Sequence, residues 1–599
     1  MTDYRAPTRD IAFTLQEVVD IERVRSLPGC EEFEPDTVNA VLEEAGRFAS
    51  EVLGPLNRSG DTQGARWADG EVTTPDGFPD AYRQFVEAGW NSLTGDPDWG
   101  GMGMPTLMGA AAHEMWNASN MSFALCPLLS ASAIELLSHH GSDEQKTVYL
   151  TKMVSGEWPG TMDLTEPQAG SDLGALRSRA EPEGDHYRLF GQKIYITWGE
   201  HDAAENIVHL VLARLPDAPP GVKGISLFLV PKYLVNEDGS LGERNDMRCA
   251  SIEHKLGIHG SPTCTMTYGE DGKGALGYLV GEPNRGLAHM FTMMNAARHK
   301  MGVQALGVAD RAYQQALAYA RDRVQGKPLD PEAPQGATIV HHPDVRRMLM
   351  GMKSQIEALR GLSYQSAADM DVARRHADEA ERRRAQARVD LLIPVVKGWG
   401  TELGIDLAST GIQVHGGMGF IEETGAAQQY RDIRIAAIYE GTNGIQAQDL
   451  VGRKLLRDRG EAMNALLDEM QGERERLDAA GIEGLDTLVD GLGEALADLR
   501  KATDSLLAVG ADDPGAAMAN AFNYMMLTGY VTGGWQMARV ALAAKQALDG
   551  GTAETDFYRG KLAAARFYGA QVLPRAAGYA RAVTAGADAV LEPDPLAHF

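Results

Sequence analysis

The sequence predicts a mainly α-helical protein that carries a central β domain and a further helical module at its C-terminus. Apolar residues recur at helical spacing over 36–153 and again over 286–455, whereas 165–280 contain short β-rich runs separated by turn formers. The 599 residues suffice for several domains, and the 44% of hydrophobic residues can fill large cores. We therefore expect domains at 1–160, 161–283, 284–456 and 457–599.

The first section is predicted to be helical from its spacing and from a start signal. Val38, Val41 and Leu42 share one helix face. The run Ser142-Asp143-Glu144-Gln145 has the pattern of a capping box, in which a serine and a glutamine satisfy the first N–H groups of a helix.

The second section is predicted to be a small antiparallel barrel or sandwich. Its β-rich runs lie at 187–190, 193–197, 207–212, 225–230 and 264–268. Turn formers such as Glu183-Gly184-Asp185 and Pro219-Pro220-Gly221 separate these runs, as expected for strands joined by short connections.

The last two sections return to helices. Long segments with few helix breakers over 286–455 predict a bundle, and a linker is expected near Gly460 and Gly472. Beyond it, one amphipathic helix is marked by an apolar stripe. The stripe consists of Leu485, Val489, Leu492, Leu496 and Leu499.

One segment, Pro514 to Ala538, contains no charged side chain and is long enough to cross a bilayer. It also contains Asn520, Asn523 and Gln536, whose polar groups are costly in lipid and tolerated at a protein interface. We therefore favour a buried interface helix, and we expect no membrane span.

Charge and cysteine content narrow the class of protein. The net charge of −27 opposes binding to nucleic acid or to anionic lipid. The four cysteines are widely spread without a CxxC pair, which favours reduced thiols. The first 17 residues lack the apolar core of a signal peptide, so we expect a cytoplasmic protein.

Two motifs of other protein classes are present only in part. Gly417-Met418-Gly419 lacks the third glycine and the preceding strand of a dinucleotide fingerprint. His113-Glu114 begins like a zinc-protease helix, but residue 117 is asparagine. We therefore predict neither a Rossmann domain nor a metal site.

Glu440 is the candidate catalytic base. It lies between Tyr439 and Gly441, after the apolar approach Ala436-Ala437-Ile438, which keeps water away from the acid. Gly441 permits close approach of a ligand to the backbone. Alone, the run is more typical of a helix start, where the helix dipole favours an acidic residue. Other segments must decide between these interpretations.

Two runs in the β section combine glycine with hydroxyl or aromatic side chains. Glycine next to hydroxyl side chains allows close backbone approach and hydrogen bonds to ring and phosphate oxygens. The first run is Leu164-Thr165-Glu166-Pro167-Gln168-Ala169-Gly170-Ser171-Asp172, and the second is Gln192-Lys193-Ile194-Tyr195-Ile196-Thr197-Trp198-Gly199. In this order the two runs resemble the acyl-CoA dehydrogenase family. The second run alone would also suit an ordinary strand.

The resemblance implies the family's fold: a helical N-terminal domain, an antiparallel β-barrel and a four-helix bundle, here followed by an extra helical module. It also implies FAD as cofactor. Leu164, Thr165, Gly170 and Ser171 correspond to flavin-binding positions, Tyr195 to the ring that stacks beside the isoalloxazine, and Thr197 to the partner of flavin N5. Trp198 departs from the family pattern, and we expect it to cap the flavin or to narrow the electron exit.

Further matches follow in the family's order. Arg298 corresponds to a residue near the thioester, whereas Asn295 stands where relatives have an acidic residue that touches pantetheine. Some relatives carry the base at the position of Ala297, which leaves Glu440 without a local rival. By the same resemblance, Tyr439 and Gly441 line the substrate site.

The remaining matches imply an oligomer. Arg323 resembles an arginine that reaches the flavin pyrophosphate of a neighbouring subunit. Gln413, Gly416 and Gly417 lie in a glycine-rich loop that resembles the one contacting the adenosine half of that flavin, and Thr442 resembles a pyrophosphate contact. Arg323 and the glycine-rich loop imply a homodimer or a higher homo-oligomer.

The resemblance implies α,β-dehydrogenation of an acyl-CoA, with Glu440 as base and electron-transfer flavoprotein as electron acceptor. The extra module and the opening run Tyr4-Arg5-Ala6-Pro7-Thr8-Arg9-Asp10 resemble bacterial members that act on 3-methylthiopropanoyl-CoA, while other long members act on fatty acyl-CoAs. Two alternatives stay open: an acyl-CoA oxidase that uses oxygen, and a non-catalytic acyl-CoA-binding or assembly protein. The presence of Glu440 argues against the second.

Overall fold

The computed structural model describes residues 4–329, 334 and 336–598. These residues form two compact units, which we call the helical unit and the barrel unit. The helical unit comprises Met1–Gly46, Pro105–Ala118 and Met301–Phe599, and the barrel unit comprises Arg47–Met104 and Ser119–Lys300.

The α-helices follow the predicted order, with short helices between long ones. Those within residues 8–155 are α1 Thr8–Phe13, α2 Ile21–Arg25, α3 Pro35–Phe48, α4 Gly54–Gln63, α5 Phe78–Glu87, α6 Thr106–His140, α7 Asp143–Gln145 and α8 Thr151–Ser155. Those that follow are α9 Gly286–Asp322, α10 Pro343–Arg375, α11 Glu379–His415, α12 Ala426–Ile433, α13 Asn443–Gln448, α14 Glu461–Ala479, α15 Asp486–Asp512, α16 Pro514–Ala519, α17 Ala521–Asp549, α18 Thr555–Phe567, α19 Arg575–Thr584 and α20 Asp588–Leu591. The predicted capping box at Ser142 is present at the start of α7.

All described strands belong to the barrel unit. They are β1 Arg66–Ala68, β2 Glu71–Thr73, β3 Gly160–Asp163, β4 Arg179–Glu183, β5 His186–Thr197, β6 Val208–Arg214, β7 Ile225–Pro231, β8 Tyr233–Val235, β9 Leu241–Arg244, β10 Met247–Ile252, β11 Thr263–Tyr268 and β12 Ala275–Leu279. The five β-rich runs seen in the sequence all lie within these strands or within one residue of them. The two runs at 187–190 and 193–197 form one continuous strand, β5.

Strand pairing closes a small barrel. The main sheet has the order β10-β11-β5-β12-β7-β6-β3, and β4 pairs with both β5 and β6, which closes a ring through β4, β5, β12, β7 and β6. Most pairs are antiparallel, but β3 and β4 each run parallel to β6. Long β5 takes part in the ring with its first half and pairs with β11 through its second half.

The barrel encloses an apolar core whose burial drives its formation. Gly191 allows β5 to pass close to Ser178, because a Cβ there would lie 2.4 Å from the Ser178 hydroxyl. The core consists of Val72, Ala180, Leu189, Ile196, Val211, Ala213, Phe228, Val230, Met247, Cys249, Cys264, Met266, Tyr268 and Ala275.

Helix α17 is the central element of the C-terminal module. It packs against α10 and α11 of the bundle and against α14, α15, α18 and α19 of its own module. Gly529 lets α17 approach α11 closely, since a Cβ there would lie 2.1 Å from Trp399 Cγ. Helix α17, which contains most of the uncharged segment 514–538, therefore packs against other helices, as expected for a buried helix.

A different helix, α6, is the one described helix that is long and apolar enough to cross a bilayer. Most of its apolar window, 83%, is buried within the protein. Such burial is also typical of a core helix.

One of the two positions named for the predicted linker lies inside a helix. Gly460 is the residue before α14 and adopts a left-handed backbone with φ of 80°. Gly472 lies inside α14 on an exposed face, where a single glycine is tolerated at a modest cost. The expected stripe of α15 is confirmed, because all five of its residues are buried.

A buried ion cluster ties the helical unit together. The Arg360 guanidinium on α10 donates to Glu114 Oε1 at 2.7 Å and lies 3.4 Å from Asp310 Oδ1 on α9. The Tyr364 hydroxyl also donates to Glu114, at 2.5 Å. Burial raises the pKa of the Asp310 carboxyl to about 6, an effect that Arg360 partly opposes. One guanidinium thus balances two buried acids from two other helices.

Replacement of Arg360 by methionine should strongly destabilise the helical unit. Both acids would remain buried without their cation, and such a change costs about 3–5 kcal/mol of unfolding free energy. Urea denaturation measures this loss. Arg347→Met is the matched control on the same helix. Because Arg347 forms an exposed ion pair with Asp344, its replacement should change stability by less than about 0.5 kcal/mol. Equal losses in the two variants would contradict the interpretation.

Candidate active site

The candidate base lies in a short strained loop of the helical unit. Glu440 and Gly441 both adopt left-handed backbone conformations, with φ of 56° and 81°, just before α13. For a residue that carries a Cβ, this conformation is costly and is retained where the surrounding structure enforces it. The observed strain at Glu440 therefore supports a functional interpretation of this loop.

The neighbouring side chains of the loop are fixed by hydrogen bonds. The Tyr439 hydroxyl donates to Gln304 Oε1 on α9, and burial raises the pKa of this phenol above its usual range, with the Glu440 charge adding to the effect. Thr442 caps α13, since its hydroxyl accepts a hydrogen bond of 3.2 Å from the Ile445 N–H. The expectation that Glu440 precedes a helix is confirmed.

Both carbonyls of the strained pair are bound by side chains from within the unit. Gln446 Nε2 lies 3.2 Å from Glu440 O and 3.3 Å from Gly441 O. The ammonium of Lys397 on α11 donates to Gly441 O at 2.9 Å. Lys397 and Gln446 are fully buried.

A polar network extends from this ammonium. Lys397 also donates to Asn443 Oδ1 at 2.8 Å, and Asn443 Nδ2 donates to Glu402 Oε1 at 2.8 Å. Thr401 shares hydrogen bonds with the same amide. The start of α13 is thus joined to α11 by side chains that are almost completely buried, except for the half-buried Glu402.

The first flavin-like run forms a loop at the end of β3 in the barrel unit. A two-way backbone bridge between Glu166 and Ala169 closes a tight turn. The fully buried Lys193 on β5 donates to Glu166 Oε1 at 2.8 Å and to Leu164 O at 3.0 Å. The loop is therefore anchored to β5 by a buried ion pair.

The Glu166 carboxylate also accepts hydrogen bonds from the backbone of Arg177 at 2.6 Å and of Ser178 at 3.0 Å. Burial alone would raise the pKa of this carboxyl. The Lys193 charge and these donors outweigh burial and lower the pKa from 4.5 to about 2. Glu166 is therefore an ionised structural anchor.

The other flavin-like residues lie beside this loop. The Ile194 N–H donates to Thr165 O at 2.8 Å, and the Thr161 hydroxyl donates to Thr197 O at 2.8 Å, so the end of β5 and the loop form one surface. Tyr195 is 60% exposed and has a φ of 62°. Gly170 and Ser171 are exposed, and no atom lies within 4 Å of a Cβ built on Gly170. An exposed ring next to an open glycine turn fits a flat cofactor with a phosphate tail.

The expectation for Trp198 is wrong. Its side chain is only 2% exposed, its ring stacks on Phe78 at a centroid distance of 6.4 Å, and its indole N–H donates to Ser122 O at 3.2 Å. The indole fills the interior of the barrel unit and therefore can neither cap a flavin nor narrow an exit.

The two substrate positions on α9 within the barrel unit differ in exposure. Asn295 is exposed, whereas Arg298 is buried, with its guanidinium 3.5 Å from Asn295 Oδ1. Ala297 is fully buried and carries no ionisable group.

The residues that imply an oligomer share one surface of the helical unit. Near the ends of α9 and α11, the Tyr319 and His415 rings lie 4.6 Å apart. Arg323 follows α9, Gly416 and Gly417 follow α11, and all three residues are exposed. A Cβ built on either glycine would meet no atom within 4 Å. His415 Nδ1 bonds to Gly411 O within its own helix.

The sequence interpretation missed Lys397, Gln304 and Lys193 as supports of the candidate site. A lysine between apolar residues of a helix or strand resembles any solvated lysine in a single sequence. Its loop partner lies 44 residues away for Lys397 and 27 away for Lys193, and no local pattern reveals such pairs.

Four family models match the chain in order. They are described as the N-terminal, middle and C-terminal domains of acyl-CoA dehydrogenase, over residues 35–157, 161–270 and 284–456, and as an acetyl-CoA dehydrogenase C-terminal-like domain over residues 462–594. The extra helical module thus has a family model of its own.

Relatives of known activity match over almost the whole chain. The chain is 48% identical to 3-methylmercaptopropionyl-CoA dehydrogenase of Ruegeria pomeroyi, over 98% of this chain and 99% of that protein. It is 36% identical to a broad-specificity linear acyl-CoA dehydrogenase of Mycobacterium tuberculosis, over 96% of each chain.

The fold agrees with a solved structure of the same class. An acyl-CoA dehydrogenase from Bacillus anthracis, solved in complex with FAD, matches with a TM-score of 0.73 at 22% identity, over 95% of this chain and 91% of that one. The three acyl-CoA dehydrogenase domain models match successive parts of the chain, and the relatives match over nearly its full length. This chain therefore belongs to the acyl-CoA dehydrogenase family.

Proposed function

We propose that this FAD-dependent acyl-CoA dehydrogenase uses Glu440 as its base and 3-methylthiopropanoyl-CoA as its substrate. The observation that carries the substrate proposal is the 48% identity, over nearly the full length of both chains, to a relative named for that thioester. The left-handed conformation of Glu440 supports its role as base. A linear fatty acyl-CoA is the second candidate, favoured by the 36% identical broad-specificity relative.

The proposed reaction removes two hydrogens from adjacent carbons. Glu440 takes the α proton, the α,β double bond forms, and the β hydrogen leaves with its electron pair. When bound, FAD supplies the acceptor for that hydride. A carboxylate is a weak base for such a proton, so the developing charge on the thioester oxygen needs hydrogen-bond donors. We assign one of these to the Glu440 backbone N–H, whose direction is set by the left-handed loop.

We assign the flavin contacts to the positions that resemble the family's flavin-binding residues. In the barrel unit they are Leu164, Thr165, Gly170, Ser171, Tyr195 and Thr197, and in the helical unit Arg323, Gln413, Gly416, Gly417 and Thr442. The open glycines and the exposed Tyr195 ring support this assignment. Asn295, Arg298, Tyr439 and Gly441 are assigned to the acyl-CoA.

We further propose that the enzyme is a homodimer or a higher homo-oligomer in the cytoplasm, which passes electrons to an electron-transfer flavoprotein. The loop 416–421 supports self-association, because it exposes Met418, Ile421 and, at 85%, Phe420. All four cysteines are free and buried, which suits a reducing compartment.

Replacement of Glu440 by glutamine tests the proposed chemistry. Anaerobic mixing with a panel of acyl-CoAs, followed by flavin bleaching, should show the fastest reduction with 3-methylthiopropanoyl-CoA in the native enzyme. Loss of a general base should slow reduction about 100- to 10,000-fold. Glu494→Gln, an exposed residue of α15, is the control and should react like the native chain.

If the flavin of the Glu440→Gln variant bleached at the native rate, Glu440 would not be the base. Faster reduction by butanoyl- or octanoyl-CoA would replace the substrate proposal by the fatty acyl alternative. Rapid aerobic reoxidation with release of peroxide would identify an oxidase instead.

Acid should release FAD through protonation of Glu166. Because folding lowers the pKa of this carboxyl from 4.5 to about 2, its ionised form stabilises the loop above pH 4.5, and this contribution is lost as the pH falls toward 2. Flavin fluorescence against pH should show release over that window. Glu166→Gln should bind FAD more weakly at pH 7 and lose this acid dependence, whereas the exposed Glu181→Gln should behave like the native protein. An unchanged FAD affinity in Glu166→Gln would contradict the anchor role.

Introduction of a charge at Phe420 tests the oligomer. Light scattering should give the native protein at least twice the mass of one chain, and Phe420→Asp should weaken the assembly because it buries a carboxylate in an apolar interface. Phe522→Asp, at a 40% exposed position of α17, is the control. A native protein with the mass of a single chain would refute the proposal.

A further inference from the structure

We propose that Lys397 is a positioning residue of the catalytic loop: its buried ammonium holds the Glu440–Gly441 pair in the left-handed conformation from which the base works. This inference rests on the proposed role of Glu440. Lys397 itself does not touch the reacting atoms in this scheme, because it acts through a backbone carbonyl.

The loop needs such support because two consecutive residues lie in the left-handed region. Gly441 adopts its φ of 81° without steric cost, whereas Glu440, at 56°, carries a Cβ that disfavours it. Relaxation of Glu440 to a common conformation would rotate both its side chain and its N–H. The carboxylate and the proposed thioester donor would then be displaced together.

Lys397 opposes that relaxation at the carbonyl end of the pair. Its Nζ lies 2.9 Å from Gly441 O and 2.8 Å from Asn443 Oδ1, so one ammonium bridges the loop and the first residue of α13. Gln446 Nε2 also donates to Gly441 O, at 3.3 Å, and it donates to Glu440 O at 3.2 Å. A hydrogen bond from a charged donor is roughly twice as strong as one from a neutral amide, which makes Lys397 the stronger of the two supports.

The position of Lys397 is itself fixed by the C-terminal module. The next residue, Gly398, lies so close to α17 that a Cβ there would be 2.2 Å from Met525 Sδ, and Trp399 packs against Gly529. Helix α11 therefore cannot shift at this point without disrupting its contact with α17. The extra module thus supports the base through α11 and Lys397.

The test is Lys397→Met, which keeps the length of the side chain and removes the donors. A base displaced by about 1 Å slows chemistry on the order of 100-fold. We expect flavin reduction at saturating acyl-CoA to fall by about that factor, while KM changes less than about threefold and FAD content stays native. The isotope effect of α-deuterated substrate should increase, because proton removal becomes more rate-limiting.

The matched control is Lys561→Met. Lys561 is also a buried lysine of the helical unit, bound to Asp10 at 2.5 Å and to Glu357 at 3.2 Å. Its replacement should lower the melting temperature but leave the rate of flavin reduction within about twofold of native. This contrast separates a positioning role from general loss of stability. Should Lys397→Met fail to fold, Lys397→Gln, which retains an amide donor, provides the same comparison.

A crystal structure of the variant gives a readout that does not depend on activity. We expect Glu440 to leave the left-handed region in Lys397→Met. A native rate together with an unchanged Glu440 φ would overturn the inference. If none of the acyl-CoAs reduces the flavin of the native enzyme, the proposed function is wrong. The backbone conformation of Glu440 in the variant then still decides whether Lys397 positions the loop.

Discussion

The candidate catalytic site depends on one constraint: a glutamate that adopts a left-handed backbone must be held in place by the structure behind it. The carbonyls of Glu440 and Gly441 accept hydrogen bonds from Lys397 and Gln446, both fully buried. A buried polar group is stable only when it is hydrogen-bonded. The loop therefore provides an acceptor for the Lys397 ammonium, and the ammonium in turn fixes the loop. At this point the positions of the bundle, the loop and the C-terminal module therefore depend on one another.

The same physical solution occurs independently in the barrel unit. Lys193 is also fully buried, and it too donates to a loop carbonyl, that of Leu164, at 3.0 Å. The two lysines differ in their second partner. Lys193 forms an ion pair with Glu166, whereas Lys397 binds the neutral amide of Asn443. A loop that binds a ligand cannot be covered by apolar side chains on the face that meets the ligand. In both units a buried lysine instead holds the loop backbone from the protein interior.

Much of the fold was predictable from local patterns, because helical spacing, the Ser142 capping box and the apolar stripe of α15 are encoded by neighbouring residues. The candidate base was predictable because its run resembles a known family. Trp198 was misinterpreted since its burial depends on Phe78, 120 residues earlier in the chain. Gly472 was misinterpreted because a solvent-exposed helix face tolerates a glycine that otherwise signals a linker. Lys397 carried no signal, since only tertiary contacts distinguish a buried lysine from a solvated one.

The C-terminal module is better understood as an enlargement of the bundle core than as an appended domain. Its central helix α17 is uncharged over 521–538, as expected for a largely buried helix, and small residues on it admit large side chains of α11 such as Trp399. Met525 occupies the space that Gly398 leaves open, next to Lys397. The Lys397 side chain is fully buried, and a hydrogen bond in such surroundings is stronger than one exposed to solvent. The module therefore contributes to the geometry of the base without supplying any of the residues assigned to the reaction.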